Sequence, residues 1–179
     1  YNDKTFNKSF SILDIAKKAG YETYWFSNQG YVGSVDTPIT LIANTADHAT
    51  WTKQELNKKQ YDGTLLDYLA TVDPNKNNFI IFHFMGSHDN FQTRYPEEFT
   101  IWGTPGKYHL IDNYDNSLAY TDYLLKEIYT YATEHLNLQS LVYFSDHSTV
   151  PDKRRQPNFT DFLTVRIPMF VYLSDTYQK

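Results

Sequence analysis

The fold of this chain is decided by one short stretch, Leu141-Val142-Tyr143-Phe144-Ser145-Asp146-His147. Its four mostly apolar residues indicate a buried strand, and this strand ends in a carboxylate and an imidazole. If the strand is parallel to its neighbours, both groups lie at the carboxyl edge of a sheet, where open α/β sheets bind ligands. Asp and His are suitable ligands for a zinc-class ion, although such a pair alone is more often a polar strand end.

A second apolar stretch ends in a similar way. Residues 79–85 predict a central strand, and Gly-Ser-His follows at 86–88. The glycine allows close backbone approach, so His88 is predicted to reach the same sheet edge as Asp146 and His147. A plain polar turn explains this segment about equally well when it is taken alone.

The remaining segments alternate between helical and strand patterns. Helices are predicted at 11–19, 62–72 and 113–135, strands at 21–26, 79–85, 139–144 and 166–173, and a short strand within 35–43. The longest helix shows an apolar face made by Tyr114, Leu118, Thr121, Leu125, Ile128 and Ala132. Residues 89–107 and 148–160 are predicted loops, and His83 and His48 are interpreted as a core and a surface histidine. This alternation predicts an α/β fold with a mostly parallel sheet.

Composition limits the function classes. The 179 residues suit one domain or most of one, and 41% hydrophobic residues with 16 Tyr and 12 Phe support a packed core. The net charge of −5 and the absence of a basic stripe argue against a nucleic-acid partner. The chain has no cysteine, which excludes disulfides and thiolate metal sites. It shows neither a signal peptide nor a membrane-spanning run, and its start at Tyr1 suggests a piece of a longer protein.

Four segments, in order along the chain, resemble motifs of the phosphoethanolamine transferases, which belong to the alkaline phosphatase and sulfatase superfamily. The segments are Gly86-Ser87-His88 with Arg94-Tyr95-Pro96, the helical Tyr114-Asp115-Asn116-Ser117, the strand end Ser145-Asp146-His147, and the strand at 166–174. The resemblance implies an alkaline phosphatase/sulfatase-like, three-layer α/β/α fold with a mostly parallel central sheet. It also implies that residues 1–179 are an incomplete catalytic domain.

The resemblance further implies a function. Such enzymes are membrane-anchored, with the catalytic domain on the periplasmic or extracytoplasmic face of the inner membrane. They move phosphoethanolamine from a phospholipid donor to lipopolysaccharide or another envelope glycan, through a phosphorylated Thr and zinc or another divalent metal. Carried over to this sequence, Asp146 and His147 are zinc ligands. His88 is then a catalytic and substrate-binding group that contacts the substrate phosphate or a second metal.

The chain also departs from the motifs of these enzymes. Residues 1–30 contain no convincing counterpart of the nucleophilic Thr or of an acidic metal ligand. Ser148 replaces the usual glycine after Asp-His, Asp89-Asn90 replaces Gly-Pro, and His147 is the last histidine. We therefore expect half of a metal site and no activity from the chain alone. Two other readings stay open: a sulfatase, phosphodiesterase or phosphoglycerol transferase, and a catalytically dead relative that binds an envelope glycan or a protein.

Overall fold

A three-stranded parallel sheet organises the first part of the chain in the computed structural model, which describes residues 10–33, 36–52, 60–107, 109–151 and 162–177. The strands are β1 (Glu22–Ser27), β2 (His48–Trp51) and β3 (Asn78–His83), in the order β2-β1-β3. Ser27 pairs with Trp51 on one side and with His83 on the other, so the three carboxyl ends are level. The sheet lies within the first of two compact units, Tyr1–Met85.

Three helices accompany this sheet. They are α1 (Ile12–Lys18), α2 (Asp36–Ala43) and the 3₁₀ helix Asp62–Thr71. Helix α1 begins with a capping box, in which the Ser11 hydroxyl accepts from the Asp14 N–H and the Asp14 carboxylate accepts from the Ser11 N–H. Leu13, Trp25 and Ala43 bring α1, β1 and α2 into one hydrophobic cluster. The central strand therefore has its apolar residues covered by packing helices.

Two predictions for this unit are corrected by the structure. The short strand predicted within 35–43 is instead helix α2, because Ile39, Ile42 and Ala43 have helical spacing and Ala43 is fully buried in the cluster; residue 35 lies outside the described residues. The helix predicted at 62–72 is present, but as a 3₁₀ helix ending at Thr71. Its residues Leu65 and Leu69 are buried.

The second unit, Gly86–Lys179, is built on the long helix α3 (Leu110–His135). Two short 3₁₀ turns, Phe91–Thr93 and Glu97–Phe99, precede it within the predicted loop. Strand β4 (Ser140–Phe144) follows, then helix α4 (Phe162–Val165) and strand β5 (Met169–Leu173). The predicted strand at 166–173 is therefore shorter at its start, where Pro168 precedes the first paired residue.

The two strands of this unit form a separate sheet. Strand β4 pairs antiparallel with β5 in a two-stranded sheet. Val142 lies opposite Val171 and Phe144 opposite Met169, so one face of this sheet is apolar and more than half exposed. The α/β class with a parallel sheet is confirmed, but the Asp-His strand end belongs to the second sheet.

Within the described ranges, every helix is too short or too polar to cross a membrane.

Candidate functional site

His88 lies on a tight turn that follows β3. Gly86 has a φ of +58° and Asn90 a φ of +65°, so residues in the left-handed region begin and end this segment. Glycine adopts that conformation without the steric cost of a Cβ atom, and Asn tolerates it better than most residues. The His88 side chain is exposed. The His88 imidazole is thus exposed to solvent on a turn bounded by two residues in the left-handed region.

This turn is hydrogen-bonded to two other segments. The hydroxyl of Ser117, which is 1% exposed on α3, forms a hydrogen bond with the Ser87 hydroxyl at 2.8 Å. Arg94 donates from Nε to the His88 carbonyl at 3.1 Å and from Nη2 to the Asp89 carbonyl at 2.8 Å. These contacts hold the turn on both sides of the His88 side chain. The Ser87 hydroxyl is bonded before it, and the carbonyls of His88 and Asp89 are bonded after it.

A buried polar network connects the next residues to α3. The Tyr95 hydroxyl, on a residue 6% exposed, donates to Asn113 Oδ1 at 2.6 Å and accepts from Asn116 Nδ2 at 3.1 Å. Asn116 Oδ1 also accepts the backbone N–H groups of Ile101 and Trp102, at 2.9 and 3.0 Å. Every polar group of the Asn116 side chain is therefore bonded, as a buried amide requires.

Aromatic packing supports the same segment. The Phe91 ring, on a residue 4% exposed, lies edge-on to the Tyr114 ring with centroids 5.0 Å apart. Burial, and secondarily the nearby Asp115 carboxylate, raises the pKa of the Tyr114 hydroxyl, so the phenol stays protonated at neutral pH. The region predicted as an open loop is thus anchored along the first half of α3.

Sequence periodicity placed the buried Thr121, Ile128 and Ala132 on the inner face of α3 correctly, but it misplaced that face in the first half of the helix. It assigned Leu118, which is 41% exposed, to the inner face, whereas Asn113, Asn116 and Ser117 are buried there. An apolar stripe does not reveal a helix face that is buried through hydrogen bonds. The available signal was the resemblance of Tyr-Asp-Asn-Ser and Arg-Tyr-Pro to known motifs, but a resemblance alone assigns these residues no structural role.

Asp146 and His147 follow β4 in a turn made of local bonds. Asp146 Oδ1 accepts from the His147 N–H at 2.9 Å, and the Ser145 hydroxyl donates to the His147 carbonyl at 2.6 Å. The Asp146 side chain is 87% exposed and that of His147 is 36% exposed, with Asp146 Oδ2 3.8 Å from His147 Nε2. A carboxylate and an imidazole therefore stand side by side at the end of the strand.

The donor set of this pair suits zinc. His147 Nδ1 lies 3.1 Å from the Ser148 carbonyl, which can only accept, so Nδ1 carries the proton. With Nδ1 protonated, Nε2 is the ring nitrogen that would bind a metal ion, and it lies beside a carboxylate oxygen of Asp146. Within the described ranges, no three His, Asp or Glu side chains form a group that could hold a metal ion, so His88 does not join this pair as a third ligand.

The carboxyl edge of the parallel sheet holds a different polar cluster. Asp62, which is 4% exposed, accepts from Asn28 Nδ2 at 2.8 Å and from the Met85 N–H at 2.9 Å. Thr52 donates to Asn28 Oδ1 at 2.6 Å, and His83 Nδ1 lies 3.1 Å from the Ser27 hydroxyl. These bonds join the ends of all three strands, and His83 is the hydrogen-bonded strand histidine that was predicted.

Comparison with known proteins identifies a family and several relatives. The sulfatase family matches residues 2–179. A putative phosphoethanolamine transferase of Haemophilus influenzae is 34% identical over 154 residues, covering 79% of this chain and 32% of that protein. Phosphoethanolamine transferase OpgE of Escherichia coli is 35% identical over 149 residues, covering 76% of this chain and 27% of that protein.

A solved structure has the same fold. The C-terminal periplasmic domain of EcEptC from Escherichia coli, in complex with zinc, matches with a TM-score of 0.77 and 25% identity, covering 95% of this chain and 54% of that chain. This chain therefore spans about a third of the length of the curated relatives and about half of the solved domain.

Proposed function

This chain belongs to the sulfatase family, and from that premise we propose that it forms part of the catalytic domain of a phosphoethanolamine transferase. The observation that supports this most directly is the set of hydrogen bonds that hold the turn containing His88. The residues that hold its turn, Arg94 and Ser117, come from the Arg-Tyr-Pro and Tyr-Asp-Asn-Ser segments that resemble those enzymes. The relatives at 34% and 35% identity carry the same enzyme name.

The proposed reaction transfers phosphoethanolamine from a phospholipid donor to lipopolysaccharide or another envelope glycan, through a phosphorylated Thr. We place it on the periplasmic or extracytoplasmic face of the inner membrane, where a membrane anchor would hold the domain. The periplasmic origin of the EcEptC domain supports this location. In this chain, the exposed His88 imidazole would donate a hydrogen bond to a phosphate oxygen of the donor and orient it.

Asp146 and His147 are proposed to hold zinc, through a carboxylate oxygen and Nε2. When bound, zinc would polarise a phosphoryl oxygen and stabilise the charge that develops on it. The hydrogen bond from Nδ1 to the Ser148 carbonyl would keep the His147 ring in the tautomer that binds metal. Zinc takes four ligands at structural sites and three protein ligands at catalytic sites, so this pair would supply part of the set.

Metal binding by the chain tests the site. We expect zinc analysis and calorimetry to detect binding by the natural chain and a loss of at least tenfold in affinity in the Asp146→Ala/His147→Ala double variant. His135→Ala is the matched control, because this histidine is exposed at the end of α3. Equal binding by all three proteins would overturn the assignment of Asp146 and His147 as ligands.

Activity of the protein at its full natural length tests the function. With phosphatidylethanolamine vesicles and lipopolysaccharide, we expect mass spectrometry to detect phosphoethanolamine on the glycan, and His147→Ala and His88→Ala to abolish or strongly reduce it. The chain alone is expected to give no more product than its His147→Ala variant. Hydrolysis of simple aryl sulfates or phosphodiesters without transfer would instead identify a hydrolase of the same family.

A further inference from the structure

We propose that Arg94 is a positioning residue that sets the backbone, and through it the imidazole, of His88. The inference rests on the proposed function for the role of His88, but its geometry stands on the structure. Arg94 Nε donates to the His88 carbonyl at 3.1 Å and to the Asp89 carbonyl at 3.3 Å, and Nη2 donates to the Asp89 carbonyl at 2.8 Å. One guanidinium thus holds two consecutive carbonyl groups.

This arrangement restricts the peptide planes next to His88. Two consecutive carbonyls normally diverge along an extended chain, because successive peptide units point to opposite sides. Here both reach the same side chain, between the left-handed Gly86 and the left-handed Asn90. If the peptide between His88 and Asp89 rotated, the first carbonyl would leave the guanidinium, so this contact restricts the backbone from which the His88 side chain projects.

Arg94 itself lies on a rigid support. Its N–H donates to the Phe91 carbonyl at 2.9 Å, and Phe91 packs edge-on to Tyr114 of α3. The next residue, Tyr95, is buried and bonded to both Asn113 and Asn116. The guanidinium therefore links the His88 turn to α3. Reactive side chains are commonly oriented by neighbouring elements in this way.

The guanidinium shape matters as well as its charge. Arg presents donors in a planar fork that can hold two acceptors at fixed angles, whereas the Lys ammonium is a compact group on a flexible stem. Arg94→Lys keeps the positive charge and loses the fork, and Arg94→Met loses both. If Arg94 positions the turn, the two variants behave alike; if it only supplies charge to a substrate phosphate, Arg94→Lys retains most of the function.

Backbone dynamics of the chain test the geometry without any assay of activity. In the natural chain we expect ¹⁵N relaxation order parameters of about 0.85 for the His88 and Asp89 amides, the value of rigid backbone. In Arg94→Lys and Arg94→Met we expect values that fall toward about 0.6 at these two amides, with the α3 amides unchanged. The matched control is Arg166→Met, which removes an exposed arginine outside this turn. Unchanged order parameters at His88 and Asp89 in both Arg94 variants would overturn the proposal.

Kinetics at full natural length then separate positioning from substrate binding. We expect both Arg94 variants to lower kcat by about 10- to 100-fold with KM nearly constant, because small misplacements of a catalytic group carry losses of this size. Since Arg94 acts through His88, adding Arg94→Met to His88→Ala should cause little further loss. A raised KM with unchanged kcat, or an additive double variant, would contradict positioning. A protein with no transferase activity would contradict the proposed function and leave the relaxation result to decide the geometry.

Discussion

Strand β1 of the parallel sheet buries five of its six residues, whereas the two-stranded sheet of β4 and β5 leaves one face exposed, lined by Val142, Phe144, Met169 and Val171. The polar segments after the strands differ in the same way. Beyond β1, Asn28 is bonded to groups distant in sequence, on Asp62 and Thr52. Beyond β4, Asp146 Oδ1 and His147 Nδ1 are bonded to groups next to them in sequence.

This difference separates the part of the chain that is stabilised by burial from the part that exposes the candidate site residues. The parallel sheet has its own core, so its strand ends are fixed by packing and by buried hydrogen bonds. The candidate metal ligands follow a short strand of the second sheet, which is open on one face. The His88 turn is intermediate, because its side chain is exposed while its backbone is bonded to Arg94 and the neighbouring Ser87 hydroxyl is bonded to Ser117.

The largest expected effect comes from a core aromatic in the parallel sheet. Phe26 is 1% exposed and its ring packs against the rings of Tyr68 and Phe82, with centroids 5.4 and 5.5 Å apart. Phe26→Ala should lower the free energy of unfolding by about 3–5 kcal/mol, because it removes apolar burial and leaves a cavity. Urea denaturation followed by circular dichroism measures this loss.

The matched control for that change lies on the other sheet. Phe144 is also a strand phenylalanine, but it is 64% exposed. Phe144→Ala should lower the free energy of unfolding by less than about 1 kcal/mol. Similar losses in the two variants would contradict the conclusion that the parallel sheet is stabilised by burial and the second sheet is not.

A smaller effect is expected from the polar cluster at the strand ends. Asn28→Ala removes the donor to Asp62 and the acceptor of the Thr52 hydroxyl, and leaves both groups buried with one fewer partner. We expect a loss of about 1–3 kcal/mol in the free energy of unfolding, the cost of burying such groups unsatisfied. Thermal and urea denaturation give the value.

The exposed Asn44 provides a comparison for Asn28, since its amide bonds the Tyr31 hydroxyl at 3.2 Å near the surface. Asn44→Ala should change the free energy of unfolding by less than about 0.5 kcal/mol. If Asn28→Ala is equally mild, the strand ends of the parallel sheet are not held by this cluster.

The sequence predicted the elements whose apolar periodicity matches their packing. Helix α1, strands β1, β3 and β4, and helix α3 lie within a few residues of their predicted positions. The helix α2 was mistaken for a strand because Thr37, Ile39 and Thr40 are β-branched, and local preference alone favours a strand there. Packing of Ala43 against Leu13 and Trp25 decided the outcome, and a local pattern does not contain that contact.

The strand ends that carry the candidate site residues could be predicted, but the contacts that support them could not. The positions of His88, Asp146 and His147 after apolar strands followed from pattern and resemblance. The antiparallel pairing of β4 with β5 did not, because a short apolar run does not specify the direction of its partner. The buried roles of Asn113 and Asn116 were also missed, since buried amides follow their hydrogen-bond partners and not an apolar period.

The smallest expected effect is electrostatic. We expect a carboxylate in the parallel sheet to make a contribution to stability that depends on pH, and a neutral side chain near the second sheet to make one that does not. At the amino edge of the parallel sheet, hydrogen bonds from the Thr23 hydroxyl and N–H, at 2.7 and 3.0 Å, lower the pKa of Asp47 to about 2, with a further contribution from Lys17. A carboxyl group whose pKa is lower in the folded state stabilises the fold above its unfolded pKa, near 4, and this stabilisation is lost as pH falls toward 2. Because the Asp47 side chain is 32% exposed, solvent screening limits the effect to about 1 kcal/mol.

Urea denaturation between pH 5 and 2 measures this contribution as the difference between the natural chain and Asp47→Asn. We expect the two stabilities to converge as pH falls, because other carboxyl groups titrate equally in both proteins. The second sheet supplies a neutral counterpart, since Gln139 Oε1 accepts from the Ser174 and Thr176 hydroxyls at 3.1 and 2.9 Å. The loss caused by Gln139→Ala should therefore be constant over the same range. If the difference in stability between the natural chain and Asp47→Asn is also constant, the charge of this carboxylate does not stabilise this edge of the parallel sheet.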